Sequence, residues 1–245
     1  MGSSRFPGKP MEKIHGVPMI GHCYFRTKMC EDLFDTYVAT CDPEIYDYIK
    51  SIDGNVVMTS SSHEMACDRA SEAMIKIEKE INSKVDIVVM VQGDEPMVTP
   101  EMISESLKPI KEDSAVNIVN LMANMDTIKE FEDPNEVKVV IDKFSNALYF
   151  SREAIPSQKK FNSEVPMLKQ VCIIPFRRDY LLKFNLMDRT NLEIIESIDM
   201  MRIIENGEKI RMVMTNINSL SVDTEYDLER VKKVMLNDPL MIKYA

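Results

Sequence analysis

Residues able to do chemistry collect in a few short motifs. The chain opens with Ser3-Ser4-Arg5-Phe6-Pro7-Gly8-Lys9-Pro10. A glycine between two prolines sets a turn whose backbone a ligand can approach closely. Arg5 brings a planar fork of donors, Lys9 a point charge, and Ser3 and Ser4 add hydroxyls. That combination suits phosphate groups, and therefore a nucleotide. A second motif, Gln92-Gly93-Asp94-Glu95-Pro96, begins where an apolar run stops. In open α/β sheets, ligands bind beyond the carboxyl ends of strands, which is where Asp94 falls. A carboxylate there suits a hard divalent cation such as Mg²⁺. A plain strand-ending Gly-Asp turn is the competing explanation. A third motif is Ser221-Val222-Asp223-Thr224, ahead of a helical pattern. Asp223 could be a second carboxylate on the same ion, because Mg²⁺ usually takes one or two carboxylates plus phosphate oxygens. Alternatively, Asp223 or Thr224 could simply cap the helix.

These motifs need strands and helices to carry them. Strand-like runs alternate with helical stretches, which argues for a largely parallel sheet covered by helices. Strands are expected at 36–40, 55–58, 86–92, 116–123, 137–141, 147–150, 171–176 and 210–214. The run Asp86–Gln92 is the clearest of them, being apolar without interruption. Asp42-Pro43 should open a short helix, with Asp42 as cap and Pro43 at the first position. Other helices are expected over 63–81, from Pro100 to about Ile110, over Leu192–Ile204 as one amphipathic element, and over Thr224–Met235. The stretch Ser157–Met167 is polar and poorly patterned, and reads as a loop or a small excursion. His15-Gly16 looks like turn chemistry; Lys138 could be a ligand contact, but an exposed lysine on an alternating strand is the favoured reading.

Composition narrows the possible functions. The 245 residues suffice for one large α/β domain. Acidic residues outnumber basic ones, 40 to 30, so a basic nucleic-acid footprint is absent and a polynucleotide partner is not expected. The five cysteines form no Cys-x-x-Cys pair, which suggests free thiols in a reducing cytoplasm. No apolar run approaches the ~20 residues of a membrane span. The three histidines form no ligand set.

The motifs then acquire a common frame. Ser-Ser-Arg-Phe-Pro-Gly-Lys-Pro (3–10), Val-Gln-Gly-Asp-Glu-Pro (91–96), Val-Lys-Val-Val (137–140), Ala-Leu-Tyr-Phe-Ser-Arg (147–152) with Ile155-Pro156, and Val-Asp-Thr (222–224) occur in that order. Together they resemble the 3-deoxy-manno-octulosonate cytidylyltransferases, over nearly the whole chain. The resemblance implies a single nucleotidyltransferase domain over 1–245, with a small excursion or dimerisation region around 145–190. The implied fold is a three-layer α/β/α sandwich with a mostly parallel central sheet, its first strand missing. It further implies a homodimer and Mg²⁺-dependent transfer of CMP from CTP to a Kdo-like acid sugar, with release of pyrophosphate.

Roles follow by position, again as what the resemblance implies. Ser4, Arg5 and Lys9 would bind the nucleotide phosphates, with Gln92 beside the nucleotide and Arg69 on its cytosine side. Asp94 and Asp223 would hold the metal, and with Lys9 form the catalytic set. Arg152, Gln170 and Glu196 would face the sugar acid. The sequence also departs from the family pattern. Met65-Ala66-Cys67 replaces Ser-Gly-Thr before Asp68-Arg69, and Gln170 stands where a histidine is usual. The apolar strand and the Ile-Pro-Ala-Arg segment that precede the first loop are not present, which suggests a natural chain that is longer at its N-terminus. A nucleotidyltransferase for another acidic sugar, or a silent nucleotide-binding homologue, stays open on sequence grounds.

Overall fold

The computed structural model describes residues 6–159, 165–217 and 219–245. The fold is α/β, and the chain divides into two compact units, one comprising residues 1–104 with 219–245 and the other residues 105–218.

In the first unit, local sequence accounts for most elements. Gly8 has φ 78° and leads into the 3-10 turn Lys9–Met11, a left-handed conformation that glycine adopts without steric cost. His15 and Gly16 both have positive φ, as a two-residue hairpin requires, and they join the antiparallel strands Lys13–Ile14 and Val17–Pro18. The turn expected there is present. Asp42 caps the helix Pro43–Ser51, its Oδ1 accepting from Glu44 N at 3.1 Å. That helix connects the parallel strands Val38–Thr40 and Val56–Met58. The helix Ala66–Ile81 and the strand Ile87–Val91 follow.

Among the described residues, two apolar clusters pack within this unit. One packs Ile20 and Tyr24 of the helix Met19–Lys28 with Val38, Ile45, Ile49 and Val56. The other joins Phe6, Ile14, Met19 and Met97 to Leu220, Val222, Leu228, Val231 and Met235, so both ends of the chain build it. Arg26 reinforces the joint, donating Nη1 and Nη2 to the Asp238 carboxylate at 3.0 Å each and Nε to Val98 O at 2.7 Å. This paired fork is the geometry in which arginine binds carboxylates best.

The second unit carries a five-stranded sheet. Its order is Arg211–Met214, Val119–Asn124, Leu168–Val171, Lys138–Ile141, Ala147–Ser151. This sheet is mixed, whereas the strand pair Val38–Thr40 and Val56–Met58 of the first unit is parallel. In the five-stranded sheet only the first pair runs parallel; its other pairings among the described residues are antiparallel. The short link between Ile141 and Ala147 can only return a neighbouring strand antiparallel, since a parallel return needs a crossover of a dozen residues or more. The apolar run 171–176 also divides at Cys172, into Leu168–Val171 and Ile173–Arg177.

The single helix expected over Leu192–Ile204 is two helices, Asn191–Glu196 and Met201–Glu205, with Ser197 between them at φ 55°. The break turns Glu193 inward onto Arg202, whose Nε and Nη2 reach its two carboxylate oxygens at 2.7 and 2.6 Å. Burial alone would raise the Glu193 pKa, but Arg202 outweighs it and holds the carboxyl below its usual range.

Candidate active site

Lys9, Asp94 and Asp223 converge in the first unit. Lys9 Nζ donates to Asp94 Oδ2 at 2.9 Å, to Asp223 Oδ1 at 3.2 Å and to Val222 O at 2.8 Å. Three acceptors saturate an ammonium. The Lys9 side chain is only 11% exposed, and the two carboxylates are about a fifth exposed. Burial alone would lower the Lys9 pKa; the two aspartates overcome it and the net shift is upward.

Backbone contacts set this arrangement. Asp94 follows the strand Ile87–Val91, and its carbonyl accepts from Val222 N at 2.9 Å. Glu95 is buried and accepts from Ser219 Oγ at 3.0 Å. The segment before the last helix is thereby laid along the end of the Gln92–Pro96 motif. Geometry also shows which residue caps the last helix. Thr224 is the cap, with Asp227 completing a reciprocal capping box for the helix Glu225–Met235. Asp223 is left to face Lys9. Two carboxylate oxygens on one ammonium are close enough to share a single cation, and they are hard donors of the kind Mg²⁺ prefers. No group of three or more His, Cys, Asp or Glu able to hold a metal ion occurs among the described residues; Asp94 and Asp223 are a pair that could contribute to one.

The other nucleotide-side expectations fare differently. Ser4 and Arg5 lie outside the described residues. Gln92 sits at the end of the strand Ile87–Val91, half-buried. Arg69, in the first turn of its helix, donates Nη1 to Thr59 Oγ1 and to Ser60 O. Glu72 binds the same loop: it accepts from Ser60 N at 3.0 Å and from Lys76 at 2.7 Å, and it pairs with His63. These contacts hold the Glu72 pKa at about 2, Lys76 contributing most. Cys67 is fully buried against Met90. The loop 59–63 is thus strapped to the start of the helix, a role for Glu72 that no motif in the sequence signalled.

Arg152 and Glu196 come together in the second unit. Arg152 N donates to Glu196 Oε2 at 3.0 Å and Arg152 Nε to Glu196 O at 2.8 Å. Glu196 Oε1 accepts from Tyr149 Oη at 3.1 Å and Ser151 Oγ at 2.9 Å. Gln170 lies on the strand Leu168–Val171, with Nε2 donating to buried Asn120 Oδ1 at 2.6 Å. Lys138 departs from the exposure expected of it. It is fully buried, not exposed, and its ammonium donates to the carbonyls of Asp133 and Glu136, at 2.8 and 2.7 Å, and of Arg152. Strand alternation could not show that this face is covered.

Residues 1–210 match the cytidylyltransferase family. Relatives named 3-deoxy-manno-octulosonate cytidylyltransferase include that of Geobacter metallireducens, 38% identical over 94% of this chain and 92% of its own length. That of Geotalea uraniireducens is 39% identical over 94% and 93%. The chain belongs to this family. It is a cytidylyltransferase. Among solved structures, a CMP:2-keto-3-deoxy-manno-octonic acid synthetase complexed with CTP superimposes with a TM-score of 0.87 at 34% identity, over 97% of this chain and 95% of that one. A cytidylyltransferase from Leptospira borgpetersenii, 17% identical with a TM-score of 0.61 over 96% of this chain and 83% of its own, shares the fold. No helix among the described residues is long and apolar enough to cross a membrane.

Proposed function

We propose that this cytidylyltransferase transfers CMP from CTP to an eight-carbon 3-deoxy acid sugar of the Kdo type. Its relatives carry that activity in their names, and a solved homologue was complexed with CTP. The observation that carries the reading is the meeting of Lys9, Asp94 and Asp223 around one point. In the reaction, a sugar hydroxyl oxygen bonds to the α-phosphorus of CTP while the α–β anhydride bond breaks, and pyrophosphate leaves. Negative charge grows on phosphate oxygens, so fixed cations lower the barrier most. Lys9 would donate to those oxygens in exchange for its carboxylate acceptors, Asp94 and Asp223, which hold it close to the proposed phosphate site.

Asp94 and Asp223 would hold Mg²⁺, which when bound neutralises triphosphate charge. On the sugar side, Arg152 offers a fixed positive charge for the acid group and Glu196 keeps it oriented. Pyrophosphate release should be followed with CTP, Mg²⁺ and a panel of ulosonic acids. Asp94→Asn should abolish turnover while leaving the circular dichroism spectrum unchanged. Retained activity in that variant would remove Asp94 from the reaction.

A further inference from the structure

Lys138 offers a positive charge in the sugar half that has no obvious use there. It lies on the strand Lys138–Ile141, where a methionine or leucine would bury with far less cost, and its solvent exposure is 0%. No carboxylate pairs with it among the described residues. Its three donors go to the carbonyls of Asp133, Glu136 and Arg152, which belong to the turn before the strand and to the end of the neighbouring strand. Lys169, alongside it in the sheet, shows the ordinary solution, with carboxylate oxygens of Glu130 at 2.7 Å and Glu136 at 3.3 Å.

What Lys138 ties down is the backbone of Arg152. From that point Arg152 Nη1 reaches back to Pro134 O at 3.0 Å, inside the same turn, and Nη2 reaches Ser197 O at 3.3 Å. Turn, strand end and helix end therefore share one closed network: Lys138 grips both sides of it, Arg152 bridges it, and the Glu196 carboxylate closes it on Arg152 N. The carboxylates of Asp133, Glu136 and Glu153 act on Lys138 only at a distance, and the Arg152 guanidinium spends three of its five N–H groups on carbonyls.

We infer that Lys138 is a positioning residue for the acid sugar: by fixing the backbone at Arg152, it aims the remaining guanidinium donors at the sugar's carboxylate. This rests on the reading of Arg152 and Glu196 as sugar-binding residues. A lysine serves here because a flexible ammonium can reach carbonyls on separate chain segments, whereas a guanidinium fork is rigid and planar. Misplacement of such a group by about 1 Å is enough to cost up to ~100-fold in rate.

The test compares the two substrates of the whole enzyme. Lys138→Met should raise the KM for the acid sugar about tenfold or more, with the KM for CTP within about twofold of the parent. Lys138→Arg keeps the charge and should fold even where the methionine variant does not, and it should show the same selective rise because its fork cannot serve all three carbonyls. A parallel rise in both KM values, no rise in either, or failure of both variants to fold would overturn the inference and reduce Lys138 to a structural residue. Arg152→Ala separates this from the underlying reading. If it leaves the sugar KM untouched, the sugar assignment falls; if it raises that KM and the folded Lys138 variants do not, only the positioning role falls.

Discussion

Two lysines withdrawn from water, one in each unit, show two ways of keeping a charge inside a protein. Lys9 faces two carboxylates and one carbonyl; Lys138 faces three carbonyls. Burial opposes the charge on both. Around Lys9 the aspartates win and the pKa rises, whereas around Lys138 burial wins and the pKa falls. Two of Lys9's partners are side-chain carboxylates partly open to water, which under the proposed function would exchange one cation for another. Lys138's partners are backbone groups, which cannot leave without moving the chain. The first arrangement suits a site that receives ligands, and the second suits the frame that holds one.

Replacement is the strongest way to test this contrast. Lys9→Met should lower turnover by about 100-fold or more, as removal of a charge-stabilising donor does, with little change in the far-ultraviolet spectrum. Near-normal pyrophosphate release would break the claim that this charge is chemical. For Lys138→Met the larger effect should be on stability, on the order of 3 kcal/mol in urea unfolding, because several carbonyls lose their donor together. Lys9→Met should cost about 1 kcal/mol, a value nearer that of partly exposed pairs. Equal costs would erase the distinction between exchangeable and fixed partners.

The pH dependence sharpens the comparison through its sign. A lysine raised above its unfolded value of about 10.4 contributes stability that is complete below that pH and lost as pH rises through the folded value. Lys9 should therefore weaken the fold on the alkaline side. A lysine lowered in the folded state does the reverse: the unfolded chain binds the extra proton, so stability rises with pH between the folded value and about 10.4. Unfolding free energies of the parent, taken relative to Lys9→Met and to Lys138→Met across the alkaline range, should change in opposite directions. Parallel curves would contradict both assignments. The smallest effect belongs to Thr224→Ala, which should cost about 1 kcal/mol through the lost cap and raise the KM for CTP modestly by loosening Asp223. Thermal melting and initial rates would check it.

The residues that could be read in advance share a physical character. The Asp42-Pro43 helix start, the His15-Gly16 hairpin and the strand ending before Asp94 each depend on contacts within a few residues. Thr224 with Asp227 is equally local, yet sequence alone allowed either Asp223 or Thr224 to be the cap; only the capping box, once seen, released Asp223. The long helix expected over 192–204 failed for a non-local reason. Glu193 and Arg202, nine residues apart, would lie on opposite sides of one straight helix; the bend at Ser197 lets them pair. Lys138 was misplaced because alternation along a strand says which side chains share a face, not what covers that face.

By itself the sequence determined the chemistry at hand: which cations, carboxylates and turns exist, and in what order, because backbone preference and side-chain charge are properties of short segments. Only the tertiary structure decided their company. Lys9 and Asp94 are 85 residues apart and Lys9 and Asp223 are 214 apart, and they meet because strand pairing and apolar burial fold the two ends of the chain into one unit. The direction of each strand and the partner of each buried charge were settled in the same way. Those choices are made by contacts that no local stretch of residues contains.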